Sequence, residues 1–147
     1  MPLPFGRGME TQPALSDSHI PVRGSVLVVD DDESTCHLLA DCVRLLGFDV
    51  DIATGAQQAL AKMREHPPDV AFCDIVMPGY DGVWLIDMIR REFPRTAVVI
   101  ITGLTKMDPA VTLAPCIAAY VVKPFEFDDI AGAVGSAVDA LAADSRQ

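Results

Sequence analysis

The sequence predicts an α/β fold in which a parallel β-sheet is covered by helices on both faces. Three observations support this: short apolar runs alternate with amphipathic stretches, the alternation repeats along the chain, and the connections are short. Right-handed crossovers between such units place helices on both sides of a parallel sheet. A length of 147 residues suits one domain. We therefore expect a (βα)5 flavodoxin-like three-layer sandwich with strand order 2-1-3-4-5, a common solution for a sheet of this size.

The strands and helices are assigned from their local patterns. The strands are expected at residues 26–29, 48–53, 70–73, 96–101 and 118–122, where the residues are apolar or alternate with acidic ones. The helices are expected between Ser34 and Gly47 and at residues 56–65, 81–93, 108–114 and 127–141. The second strand alternates apolar and acidic residues, which is typical of an edge strand.

The ends of the helices are marked by capping and helix-breaking residues. Ser34 is predicted to be the N-cap of the first helix, and Gly47 its C-terminal stop. Asp81 is predicted to cap the third helix, which Pro94 ends. The buried face of the third helix is predicted to contain Val83, Leu85, Ile86, Ile89 and Phe93.

The last two helices are less regular. Pro109 can begin the short fourth helix, but Pro115 must end or kink it. Gly132 and Gly135 in the last helix are each unfavourable by roughly 1 kcal/mol relative to Ala. They could permit the close approach of a partner or of the sheet, and we favour the sheet. The predicted buried face of this helix consists of Phe127, Ile130, Ala131, Val134, Val138 and Leu141.

The chain divides into three parts by composition. Residues 1–24 contain four prolines and three glycines without a sustained period, as is typical of a flexible leader or linker. We predict that the folded domain covers residues 25–143 and that residues 144–147 form a C-terminal tail.

Composition excludes several classes of function. Lys and Arg total 11 against 21 Asp and Glu, a net charge of −10, so direct binding to nucleic acid is disfavoured. The longest apolar runs are too short for a membrane span, and the first residues do not resemble a signal peptide. The four cysteines form no C-x-x-C pair and the three histidines lack ligand spacing, which disfavours zinc and favours a reducing cytoplasm.

Polar residues follow four of the predicted strands. These are Asp30, Asp31 and Asp32 after the first strand, Asp74 after the third, Thr102 after the fourth and Lys123 after the fifth. The carboxyl ends of parallel strands meet at one edge of the sheet, so these side chains should converge. Neighbouring carboxylates repel one another unless a cation lies among them, and carboxylate oxygens suit Mg²⁺.

A carboxylate, a hydroxyl and an ammonium around one point are suited to phosphoryl transfer. Asp74 would then be the nucleophile, Lys123 would pair with a phosphoryl oxygen and Thr102 would donate a hydrogen bond. Each residue alone has a structural explanation: a solvated loop end, an ordinary turn lysine or a common β-forming residue. Their coincidence at one edge favours the functional interpretation.

The chain resembles the CheY-like receiver domain of two-component response regulators over about residues 25–143. The resemblance rests on Val28-Val29-Asp30-Asp31, on Asp74 followed by Met77-Pro78 and Asp81-Gly82, on Thr102, and on Tyr120-Val121-Val122-Lys123-Pro124-Phe125. It implies a phosphoprotein of the two-component phosphorelay, with no enzymatic activity beyond self-catalysed phosphotransfer and slow autodephosphorylation. Asp74 would receive a phosphoryl group from a sensor histidine kinase or a histidine phosphotransfer protein.

The resemblance also implies a metal site and a switch. Mg²⁺ would be bound by Asp31, Asp74 and the backbone carbonyl of Val76, and Asp30 would hold the water shell of the metal. Thr102 would move toward the phosphoryl group held by Lys123. Tyr120 would then turn inward and reshape the surface formed by the fourth helix, fifth strand and last helix. This surface would contact a downstream protein target or a second copy of the chain.

Two residues depart from the polar side chains that many receivers carry near the phosphoryl group. Val76 and Leu104 are apolar, and we hypothesise that they limit access of water and slow the loss of the phosphoryl group.

Other interpretations remain open at this stage. An Asp-nucleophile phosphatase of the haloacid-dehalogenase type would need a second Asp at the position of Val76 and a nucleophile on its first strand. A pseudo-receiver that only binds partners is disfavoured because the complete polar set is present. The chain could be a stand-alone regulator or a module of a longer hybrid kinase or multidomain regulator.

Overall fold

The structure is a computed structural model that describes residues 23–77, 82–103 and 116–145. Five strands form one parallel sheet: β1 (Ser25–Val29), β2 (Asp49–Ala53), β3 (Val70–Asp74), β4 (Ala97–Thr102) and β5 (Ile117–Val122). Their order across the sheet is β2-β1-β3-β4-β5. The predicted fold class and strand order are confirmed, and β2 is an edge strand as its alternating pattern predicts.

Four helices are described. They are α1 (Glu33–Leu45), α2 (Ala56–Glu65), α3 (Gly82–Glu92) and the C-terminal helix α4 (Phe127–Ser145). The short helix predicted over residues 108–114 and the predicted cap Asp81 lie outside the described residues. In the part of the chain that the structure describes, no helix combines the length and the apolar character needed to cross a lipid bilayer.

The core consists of two apolar layers, one on each face of the sheet. One layer packs α1 and α4 against the sheet, with Leu39, Phe72 and Ile130 among its buried residues. The other packs α2 and α3 on the opposite face, around Met63 and Leu85. Because β1, β3 and β4 contact helices on both faces, nearly all of their residues are apolar and buried.

The helix α1 begins two residues earlier than predicted. Its N-cap is Asp32, whose carboxylate accepts a hydrogen bond from the N–H of Ser34, so the predicted N-cap Ser34 is wrong. Asp is as good an N-cap as Ser, and the earlier start leaves a short connection from β1. At the other end, Gly47 adopts a φ of 97° as predicted for a helix stop, and its N–H bonds to the carbonyl of Arg44.

Two predictions about α3 and α4 are corrected. Val83 and Phe127 are predicted on buried faces, but both side chains are exposed, and both residues lie in the first turn of their helix. The buried residues of α4 are Ile130, Ala133, Val134 and Ala137. Nothing lies within 4 Å of a Cβ built at either Gly132 or Gly135, so these glycines do not allow a close approach of the sheet.

The amino edge of the sheet, opposite the carboxyl ends of the strands, is tied by structural hydrogen bonds. The buried hydroxyl of Thr96 donates to the carbonyl of Pro68 at 2.7 Å, and Asp69 accepts from the N–H of Ser25 at 3.0 Å. Arg23 donates to the carbonyl of Leu46, and its guanidinium lies 5.0 Å from the ring centre of Phe48. The contacts of Arg23 show that the packed structure begins two positions before the predicted domain start at Ser25.

Candidate functional site

The predicted polar residues meet at the carboxyl edge of the sheet. Asp30 follows β1 directly, Asp74 is the last residue of β3, Thr102 ends β4 and Lys123 follows β5. In the sheet, β3 lies between β1 and β4, and Asp74 pairs with Ile101, the residue before Thr102. The parallel register therefore brings side chains that are distant in sequence to one place.

Three carboxylates form an acidic cluster, which consists of Asp30, Asp31 and Asp74. One oxygen from each residue lies within 4.8 Å of the oxygens from the other two. Asp30 and Asp74 are only 1% and 5% exposed, whereas Asp31 faces solvent. A cation that approached from solvent would reach Asp31 first and the two buried carboxylates behind it.

Lys123 is the cation that faces this cluster. Its Nζ lies 2.7 Å from Oδ2 of Asp30 and 3.4 Å from Oδ2 of Asp74. Burial acts to lower the pKa of Lys123, but the hydrogen bond and charge of Asp30, with a smaller effect of Asp74, raise it above its ordinary value. The ammonium therefore stays charged, and its shorter contact is with Asp30.

Both carboxylate oxygens of Asp30 have partners. Oδ1 accepts the N–H of Asp32 at 2.9 Å, and Oδ2 accepts from Lys123. These two bonds hold the turn after β1 and the segment after β5 against the same buried side chain. Asp30 thus links these two segments through hydrogen bonds to both of its carboxylate oxygens.

The carboxylate of Asp74 lies in an environment that disfavours its charge. Burial, together with the charge of Asp30, raises the pKa of Asp74 above its ordinary value. The N–H of Val76, which donates to Oδ1 at 3.2 Å, and the ammonium of Lys123 oppose this rise. Added positive charge nearby would stabilise the charged form of such a carboxylate.

The backbone after β3 is held close to the start of α3. The N–H of Gly82 donates to the carbonyl of Ile75 at 3.1 Å. A Cβ built at Gly82 would lie 1.9 Å from the carbonyl oxygen of Asp74, so only glycine permits this approach. The position of Asp74 therefore depends on a residue that contributes no side chain.

The remaining predicted site residues are Thr102, Val76, Tyr120 and Leu104. Thr102 is fully buried, and its carbonyl accepts the N–H of Lys123 at 2.8 Å. Val76 is 58% exposed beside Asp74, and Tyr120 on β5 is 37% exposed. The movement of Thr102 and Tyr120 stays a prediction, and Leu104 lies outside the described residues.

Cys36 lies near the site, although the sequence pattern indicates only a buried residue of the apolar core. The thiol of Cys36, in the first turn of α1, lies 3.2 Å from the carbonyl oxygen of Asp30 and 3.8 Å from that of Ala53. Burial, with the nearby charge of Asp30, raises its pKa to about 11. The only signal in the sequence is that Cys36 comes six residues after Asp30, the first residue of the acidic run 30–33. All four cysteines are free thiols.

The site can bind a cation among oxygen ligands and present a buried carboxylate beside a fixed ammonium. These are the components that positioning and charge neutralisation of a phosphoryl group require. The polar residues at the carboxyl ends of β1, β3, β4 and β5 are thus compatible with the predicted phosphoryl transfer.

Comparison with known proteins shows a match over most of the chain. The sequence profile described as the response regulator receiver domain matches residues 26–135. The transcriptional regulatory protein ZraR of Escherichia coli is 35% identical over 106 residues, which cover 71% of this chain and 24% of ZraR. The chain thus spans about a quarter of the length of such curated relatives.

Solved structures agree in fold. The receiver domain of NtrX from Brucella abortus has a TM-score of 0.71 and 30% identity, and the match covers 78% of this chain and 98% of that one. A CheY-like receiver domain protein from Methanospirillum hungatei has a TM-score of 0.76 at 24% identity, covering 82% and 97% of the two chains. This second likeness concerns the fold alone.

Proposed function

The chain belongs to the response regulator receiver domain family, and on this basis we propose that it accepts a phosphoryl group on Asp74 and relays the signal to another protein. The donor is a phosphohistidine of a sensor kinase or phosphotransfer protein. The bond between phosphorus and the donor nitrogen breaks, and one forms between phosphorus and a carboxylate oxygen of Asp74. The bonding electron pair stays on the departing imidazole, which takes a proton.

The acidic cluster facing Lys123 is the observation that supports this proposal most directly. Asp31, Asp74 and the backbone carbonyl of Val76 would hold Mg²⁺, and Asp30 would act on it through water. When bound, this ion supplies positive charge that offsets the charges of the carboxylate and the phosphoryl oxygens. Lys123 then contacts a phosphoryl oxygen, and Thr102 donates its hydroxyl to another.

Signal output is proposed for the surface around β5. The exposed side chain of Tyr120 lies on this edge strand, three residues before Lys123. Phosphorylation adds negative charge at Asp74, which Lys123 and Thr102 would contact, and the chain between Tyr120 and Lys123 would carry the change to the surface. The partner is a downstream protein or a second copy of the chain. We propose that the 147-residue chain does not itself bind nucleic acid. The free thiols suit the reducing cytoplasm as its compartment.

Incubation with acetyl phosphate and Mg²⁺ tests the proposal. Intact-mass measurement should show a gain of one phosphoryl group in the native chain, and the gain should vanish in Asp74→Asn. Asp41→Asn is the matched control, because Asp41 is an exposed aspartate on α1, and it should be phosphorylated normally. No gain in the native chain, or a gain that survives Asp74→Asn, contradicts the proposal.

The same experiment separates a receiver from a phosphatase. An enzyme would release inorganic phosphate through many turnovers, whereas a receiver should accumulate the phosphorylated form. The position two residues after Asp74 carries Val76 and lacks the acid that such a phosphatase needs. We therefore expect release of phosphate at the slow rate at which the phosphorylated chain decays.

A further inference from the structure

We propose that the buried thiol of Cys36 is a positioning group that holds the backbone around Asp31 in the geometry needed for Mg²⁺. This inference rests on the proposed function of the acidic cluster and assigns a role to a residue outside it. Cys36 is fully buried, and its sulfur lies 3.2 Å from the carbonyl oxygen of Asp30.

The contact lies at the junction of three elements. The carbonyl of Ala53, at the end of β2, accepts the N–H of Asp30 at 3.2 Å and lies 3.8 Å from the same sulfur. The N–H of Cys36 bonds to the carbonyl of Asp32 at 3.1 Å. The thiol thus joins the first turn of α1 to the ends of β1 and β2.

Asp31 lies between two anchored peptide groups. A peptide group is planar, so fixing the carbonyl of Asp30 fixes the plane that ends at the nitrogen of Asp31. The next peptide group is fixed because the N–H of Asp32 bonds to Oδ1 of Asp30. The position of the Asp31 Cα is therefore fixed by its backbone, although the side chain of Asp31 faces solvent.

Such anchoring matters for metal binding. An exposed carboxylate on a loosely held turn must be ordered when the ion binds, and that ordering weakens affinity. Groups that contact the metal ligands without touching the metal hold those ligands in orientation. Their removal commonly weakens metal affinity by about 10–100-fold. Because the thiol acts through the backbone, we expect an effect at the lower end of that range.

The test measures Mg²⁺ affinity by isothermal titration calorimetry in folded variants. Cys36→Ala and Cys36→Val both remove the donor, so both should bind Mg²⁺ about tenfold more weakly. Alanine is smaller than cysteine and valine is somewhat larger, so a loss common to both does not come from a change of volume in one direction. Cys36→Ser keeps a donor and should stay within about threefold of the native affinity. Cys42→Ala is the matched control, because Cys42 is a second buried cysteine of α1 one and a half turns away.

A second measurement needs no metal. The amide of Asp32 should exchange with solvent about tenfold faster in Cys36→Ala than in the native chain, whereas Cys42→Ala should leave it unchanged after correction for global stability. The inference is overturned if Cys36→Ala and Cys36→Val both bind Mg²⁺ with native affinity, or if Cys36→Ser loses as much affinity as Cys36→Ala. Either result leaves the proposed function intact. A native chain that does not bind Mg²⁺ overturns the inference together with the proposed function.

Discussion

The proposed role of Asp74 opposes its environment, because a nucleophilic carboxylate must be charged, whereas Asp74 is buried beside Asp30. Its pKa is raised, first by burial and then by Asp30. The native state therefore binds a proton at Asp74 more tightly than the unfolded state does. Stability contributed by Asp74 is present below the ordinary pKa and is lost as the pH rises through the raised one.

Asp74→Asn removes this charge and should stabilise the metal-free protein at pH 7.5. We expect a gain of roughly 1 kcal/mol in the free energy of unfolding, measured with urea, and the gain should shrink as the pH falls. Mg²⁺ should then stabilise the native chain but not the variant. Asp41→Asn should change stability by less than about 0.5 kcal/mol. A variant less stable than the native chain at pH 7.5 would show that the contact with Lys123 outweighs the cost of burial.

Val76 is exposed beside Asp74 and would lie next to the proposed phosphoryl group on its solvent side. An amide at this position can orient a water molecule, whereas the exposed valine cannot. Val76→Asn should therefore shorten the half-life of the phosphorylated chain by up to about tenfold, as followed by intact mass after removal of acetyl phosphate. Val76→Ala, which is also apolar, should decay at nearly the native rate. A native half-life much shorter than that of Val76→Asn contradicts this prediction.

At the scale of the elements, the joint between β3 and α3 depends on Gly82. Gly82→Ala places a methyl group against the carbonyl of Asp74, so we expect a loss of about 1–3 kcal/mol in unfolding free energy. The displaced carboxylate should also weaken Mg²⁺ binding in the fraction that remains folded. Urea unfolding and calorimetry measure the two effects.

Gly135→Ala is the matched control for this substitution. Gly135 is exposed in α4 with nothing within 4 Å of its built Cβ, and alanine there should stabilise the chain by up to about 1 kcal/mol. If Gly82→Ala and Gly135→Ala changed the unfolding free energy equally, the close contact of Gly82 with the backbone of Asp74 would not matter for stability.

The elements themselves were largely predictable, because parallel strands with helices on both faces leave a strong apolar pattern. The errors have physical causes. Asp32 and Ser34 are equally good N-caps, and only the packing of α1 on the sheet chooses between them. Phe127 fits the helical period of α4, but it is the first residue of that helix and its side chain is exposed. Periodicity gives the direction of a side chain and not the extent of the surface it meets.

The site was predictable in composition and position but not in its contacts. Strand ends identified Asp30, Asp74, Thr102 and Lys123 because parallel strands end at one edge. That Lys123 bonds more closely to Asp30 than to Asp74 depends on distances within a few ångströms. The role of Cys36 was hidden because a buried thiol looks in sequence like any small apolar residue.

At the scale of the whole molecule, the folded unit is proposed to be independent of the residues before Arg23. Removal of residues 1–22 should change the unfolding free energy by less than about 0.5 kcal/mol. Removal of residues 1–24 also deletes the contacts of Arg23 with Leu46 and Phe48, and should cost about 1–2 kcal/mol. Urea unfolding of both truncated chains checks this, and an equal cost would place essential contacts before Arg23.

The ion pair between Asp30 and Lys123 joins residues that are 93 positions apart. During synthesis, a ribosome that adds about 5–20 residues per second needs roughly 5–20 s to pass from one to the other. Until Lys123 has emerged, the acidic cluster lacks its ammonium and the sheet lacks its fifth strand. A nascent or prematurely terminated chain that lacks Lys123 therefore lacks the ammonium on which the proposed phosphoryl transfer to Asp74 depends.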